Sequence, residues 1–116
     1  MPYVNVTVGK SLTEMEKAEI CKIVSNNISV IRGKTAAATM VSVTGEADMF
    51  MNNERKVCVF CELRLFGKAE KEEKAELTQI LGNELARILD AEKGNIYINF
   101  AEFGEWGTGT QLTVDN

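Results

Sequence analysis

Few of the 116 residues can do chemistry, and their types narrow it further. Histidine is absent, which removes the commonest general base and the commonest metal ligand. Carboxylates, lysines, tyrosines, three cysteines and the amino terminus remain. The chain begins Met1-Pro2, and Pro2 is its only proline. Initiator methionine is normally removed before a residue as small as proline. Pro2 would then carry a secondary amine at the chain terminus. A terminal amine titrates near 7.7–8.0, and lower when embedded beside a cation. Neutral at working pH, it can act as a general base. Outside such a site, Pro2 is only a processing signal and a stiff first residue.

Cys21, Cys58 and Cys61 are the thiols. An odd count with no export signal argues against a disulfide framework. The Cys58-Val-Phe-Cys61 spacing invites a redox reading, but "KVCVFCELRLF" reads as a strand, where residues three apart point to opposite faces. A reactive pair of this spacing sits at a helix N-terminus, which lowers the thiol pKa. Three thiols without histidine also fall short of a tetrahedral zinc site. Packed core thiols are expected, with no metal and no cofactor.

The elements that must position these groups are duplicated. "VGKSLTEMEKAEI" from Val8 and "FGKAEKEEKAEL" from Phe66 share an apolar residue, Gly-Lys, a polar run, then Glu-Lys-Ala-Glu and an aliphatic residue. Such self-similarity is a fold-level signal. Residues 2–8 alternate, with Tyr3, Asn5 and Thr7 opposite Val4, Val6 and Val8. Ser11 and Glu14 suit a capping box. The helix that follows has an apolar stripe of Leu12, Met15, Ile20, Ile23, Val24, Ile28 and Ile31, and Gly33 marks its stop. Residues 39–45 read as a strand. The second half repeats the plan: a strand over 56–66, a helix over 70–89 with Leu77, Ile80, Leu81, Leu85 and Ile88 on one side, a break at Gly94-Asn95, and a strand over 96–103.

The pattern predicts an α/β (α+β) fold in one domain over 1–116. Two βαβ units would form a four-stranded sheet with both helices on one face. The strand "VCVFCELRLF" is largely apolar on both sides: Val57, Val59, Cys61, Leu63 and Leu65 on one, Cys58, Phe60 and Phe66 on the other. A second cover is needed, and another copy of the chain is the expected one. "DMFM" at 48–51 suits a segment capping a pocket or an interface. "GEWGTGTQLTVDN" at the end suits a turn or short hairpin, with Trp106 as an interface residue.

Net charge is −4 and the pI is near 4.9, which disfavours nucleic acid and anionic membranes as partners. No apolar run approaches the roughly 20 residues of a membrane span, and no signal peptide is evident. A cytoplasmic location is expected.

Pro2, the doubled βαβ plan, Gly33-Lys34, the Cys-x-x-Cys strand running into "FGK", and "IYINF" together resemble the tautomerase superfamily, in its macrophage migration inhibitory factor and D-dopachrome tautomerase branch. The resemblance covers about residues 2–106. It implies a homotrimer with the site at the subunit boundary. It implies that Pro2 is the catalytic base and that Lys34 holds the substrate carboxylate. Phe66 would contribute its backbone N–H to that carboxylate, standing where the family has an aliphatic residue. Tyr97 and Asn99 would line the pocket, the tyrosine from a neighbouring chain. The reaction would be a 1,3-proton shift in a small anionic α-keto acid such as phenylpyruvate, without cofactor. The tail departs from the family's polar ending, which closes on an aromatic residue.

Two other readings compete. One is a cytokine-like interaction protein acting on a receptor, with catalysis incidental; family members leave cells without a signal peptide. The other is proline-based hydration or dehalogenation of unsaturated acids. That chemistry wants an extra carboxylate and arginines, and none of Arg32, Arg55, Arg64 or Arg87 matches those positions.

Overall fold

The computed structural model describes residues 1–115; Asn116 lies outside the described residues. Strand β1 (Pro2–Val8) leads into helix α1 (Glu14–Asn27) and then strand β2 (Met40–Thr44). A small hairpin follows, β3 (Phe50–Met51) and β4 (Glu54–Arg55). Strand β5 (Val59–Phe66), helix α2 (Lys71–Leu89) and strand β6 (Ile96–Phe103) repeat the first unit. A terminal hairpin, β7 (Glu105–Thr108) and β8 (Gln111–Val114), completes the described chain.

The main sheet runs β2-β1-β5-β6. Each unit pairs its strands in parallel, β1 with β2 and β5 with β6, and the units join through antiparallel β1 and β5. Val4, Val6 and Val8 share one buried cluster with Val59, Cys61, Leu63 and Leu65, with Ile20 and Val24 of α1, and with Leu77, Leu81, Leu85 and Leu89 of α2. Both helices therefore cover the same face, as the doubled βαβ plan predicts.

Local chemistry sets the boundaries. The α1 cap is not Ser11 with Glu14 but the next Thr/Glu pair: Thr13 Oγ1 accepts from the Glu16 N–H at 3.0 Å, and Glu16 Oε1 accepts from the Thr13 N–H at 2.9 Å. Ser11 instead bonds Glu46. Met15 lies five residues before Ile20, on the opposite side of the helix, and is 80% exposed rather than part of the core stripe. After α1 a single 3-10 turn carries Ile28 and Ile31 into the core, and Gly33 takes a left-handed φ of 84° that redirects the chain into Lys34. Helix α2 stops at left-handed Asp90, with the Ala91 N–H returning to the Ala86 carbonyl at 3.2 Å, before Gly94-Asn95 is reached.

Strand β5 begins later than the alternation of 56–66 suggests. The Cys58 N–H bonds the Lys56 carbonyl at 2.9 Å, a tight turn that ends the extended run. Strand β5 starts at Val59, and Cys58 is buried just outside it. The open face of β5 presents Phe60, Glu62, Arg64 and Phe66, so the face read as largely apolar carries two charges between its two aromatic rings. A polar ladder crosses it. Tyr3 and Ser42 hydroxyls lie 2.7 Å apart, Ser42 donates to Asn5 Oδ1 at 2.7 Å, and Asn5 Nδ2 donates to Glu62 at 3.3 Å. The exposed large apolar side chains lie elsewhere, on α1 (Met15), at the sheet edges (Met40, Tyr97, Phe103) and on the hairpins (Phe50, Leu112, Val114).

Candidate active site at the amino terminus

Pro2 opens β1, where a missing N–H costs the ladder little. It is buried and pairs with Leu65. Phe66 is the next residue and ends β5. Gly67 follows with a φ of 78°, and its N–H bonds the Phe103 carbonyl at 2.8 Å. Lys34, delivered by the Gly33 turn, donates from Nζ to the Phe66 carbonyl at 2.7 Å. The amino terminus, Lys34 and Phe66 thus converge from three separate segments.

The electrostatics of this corner are those of a partly dry cleft holding two cations. Partial burial, and then the Lys34 charge, hold the Met1 terminal amine below its ordinary pKa. Burial likewise lowers the Lys34 ammonium, opposed by the Asp115 carboxylate. Asp115 returns to the site because the terminal hairpin folds back, its N–H bonding the Gly104 carbonyl at 2.8 Å. No local signal in the tail marks it out. The adjoining hollow is about 320 Å³, walled by Met1, Pro2, Tyr3, Met40, Trp106 and Thr108 among others. Trp106 packs edge-to-face on Phe103, with ring centres 6.4 Å apart.

Tyr97 and Asn99 stand apart from this corner. They pair with Phe60 and Glu62 on β5, whereas Pro2 pairs with Leu65. At about 3.3 Å per residue and 4.8 Å per strand, Tyr97 is roughly 19 Å from Pro2 and Asn99 roughly 14 Å. Tyr97 is 60% exposed on an edge strand. It lines a second hollow of about 350 Å³ with Met49, Met51, Cys58 and Phe60. The β3–β4 hairpin caps that hollow, as "DMFM" suggested. Asn52 and Asn53 both hold positive φ in its turn, and Arg55 lies over the Phe50 ring at 4.8 Å.

The Cys-x-x-Cys pair is packed, not reactive. Both thiols are buried, and burial together with the Glu62 charge pushes Cys61 up to about 12. Among the described residues no group of three His, Cys, Asp or Glu side chains is placed to hold a metal ion.

A doubled βαβ unit with a cation-flanked amino terminus at the junction of its halves defines a class of small α+β proteins. The chain belongs to the macrophage migration inhibitory factor (MIF) family, whose model matches residues 1–114. Its fold is similar to that of MIF2 from Leishmania major, with a TM-score of 0.90 at 12% identity over 97% of both chains. It is also similar to the MIF-like protein of Entamoeba histolytica, with a TM-score of 0.80 at 24% identity over 97% of this chain and 98% of that one. A third similar structure is described as inactivated by 2-oxo-3-pentynoate; the TM-score is 0.78 at 12% identity, over 87% of this chain and 85% of that one. No curated protein matches the sequence.

Proposed function

We propose that the chain is a cofactor-free keto–enol tautomerase acting on small α-keto acids of the phenylpyruvate kind, with the Pro2 nitrogen as base once Met1 is removed. The observation that carries this reading is the convergence of the amino-terminal end of β1, Lys34 and the end of β5; the Met1 amine, one residue before Pro2, already lies within reach of the Lys34 charge. Lys34 would hold the substrate carboxylate, a charge-assisted contact that strengthens in a partly dry cleft. The neutral nitrogen takes a proton from the carbon beside the carbonyl. The enolate oxygen is stabilised by the nearby cation and backbone amides. The same nitrogen then returns the proton to the other end of the enolate, completing the 1,3-shift. A structural neighbour inactivated by an α-keto acid supports the substrate class.

The reading includes a homotrimer. MIF family members are typically oligomeric, and Tyr97 and Asn99 lie too far from Pro2 to serve the same chain. They would face the Pro2 of a neighbour. The apolar side chains exposed on edges and hairpins supply contact surface, while the polar open face suits a wet interior.

The test is the ultraviolet loss of phenylpyruvate enol, followed for wild type and Pro2→Ala, with intact mass confirming the loss of Met1. Wild-type turnover that falls at least ~100-fold in the variant is the expected result, general-base catalysis being worth about 10²–10⁴-fold. Equal rates overturn the proline mechanism.

A further inference from the structure

Beside the amino-terminal hollow lies a third one that the proposed chemistry leaves unused. It is about 340 Å³, lined by Tyr3, Arg64, Phe103, Glu105, Trp106 and Gly107. Tyr3, Trp106 and Gly107 also line the hollow at Pro2, so the two share a wall. Arg64 pairs with Tyr3 across β1 and β5, one residue before the Pro2 partner Leu65. Its guanidinium is free: Arg32, Arg55 and Arg87 each pair with a carboxylate, whereas Arg64 has no ion pair among the described residues. Glu105 lines the same hollow but stands beyond ion-pair distance. An unpaired guanidinium beside three aromatic rings suits an aromatic anion: the planar fork grips a carboxylate through two parallel bonds, and the rings take the apolar body.

We propose that Arg64, with Tyr3, Phe103 and Trp106, forms a second anion subsite that takes the charged end of an aromatic acid. Combined with the proposed tautomerase reading, on which this extension rests, it selects aryl α-keto acids bearing a second carboxylate on the ring. The keto acid end would meet Lys34 and Pro2, and the ring would lie against Trp106.

Trp106 is the only tryptophan, so intrinsic fluorescence reports on this wall alone. Terephthalate, an aromatic dicarboxylate with no keto group, should quench it saturably. The Kd should weaken at least tenfold in Arg64→Gln and recover in part in Arg64→Lys, with circular dichroism confirming that both variants fold. In turnover, 4-carboxyphenylpyruvate should show a lower KM than phenylpyruvate, and Arg64→Gln should erase that advantage. No quenching of wild type, or the same Kd in Arg64→Gln, overturns the subsite even if the enzyme is active. Arg64-dependent terephthalate binding without turnover of either keto acid overturns the tautomerase reading and leaves the subsite standing.

Discussion

Lys34 Nζ donates a 2.7 Å hydrogen bond to the backbone carbonyl of Phe66, joining the turn after α1 to the last residue of β5. That one bond fixes a flexible side chain beside the amino terminus. It leaves the ammonium with two further donors for a ligand. The position of Lys34 is thus a consequence of the fold's central junction.

Lys34→Met should therefore separate binding from folding. A charged hydrogen bond is worth about 1.5–3 kcal/mol, so KM for phenylpyruvate should rise roughly 10- to 100-fold. Thermal unfolding should move only a few degrees. Steady-state kinetics beside a melting curve decide the matter, and an unchanged KM would remove Lys34 from the site.

The pH profile should be bell-shaped, with both limbs displaced downward. A base works deprotonated, so kcat/KM should rise as pH passes the pKa of the Pro2 amine, expected below the usual range of about 7.7–8.0 because burial and Lys34 already hold the Met1 amine, one residue away, low. It falls when Lys34 loses its charge, below the ordinary lysine value of about 10.4. The Asp115 carboxylate favours charged Lys34, so Asp115→Asn should bring the alkaline limb to lower pH. An acid limb at or above pH 8 would contradict the coupling of amine and lysine.

Thiol titration should count one accessible group in the native protein. Cys21 is exposed, whereas Cys58 and Cys61 are buried. A disulfide reagent at pH 8 should modify Cys21 quickly, and the other two only on unfolding. Three fast thiols would return the Cys-x-x-Cys pair to consideration as a redox site.

The first helix offers a contrast in stability. Thr13→Ala should cost about 1 kcal/mol, the usual value of an N-cap. Met15→Ala, at an exposed position, should stay within about 0.5 kcal/mol. Leu81→Ala, at a fully buried one, should cost about 2–5 kcal/mol. Denaturant melts of the three variants give the ranking, and a Met15 effect as large as that of Leu81 would contradict the helix phase described above.

Much of the fold was legible because it is written in short-range periodicity. The valines of β1, the leucine ladder of α2 and the bounds of β6 follow from alternation and helical spacing, and the Gly-Lys repeats mark the two halves. Where two local signals competed, the sequence did not rank them. Ser11-Glu14 and Thr13-Glu16 both have capping-box spacing, and only Thr13 meets the helix end in three dimensions.

Residue types alone set out the candidate chemistry: one proline behind Met1, no histidine, and a lysine after a glycine turn. Tertiary structure decided which of these meet. The antiparallel register of β1 on β5 sets Pro2 beside the end of the strand that Lys34 holds, and leaves Tyr97 roughly 19 Å off at an edge. The Lys56–Cys58 turn starts β5 at Val59, and pairing with β1 sets Glu62 and Arg64 beside Asn5 and Tyr3 on a polar open face. Register depends on backbone bonds between distant segments, which alternation within one strand does not encode.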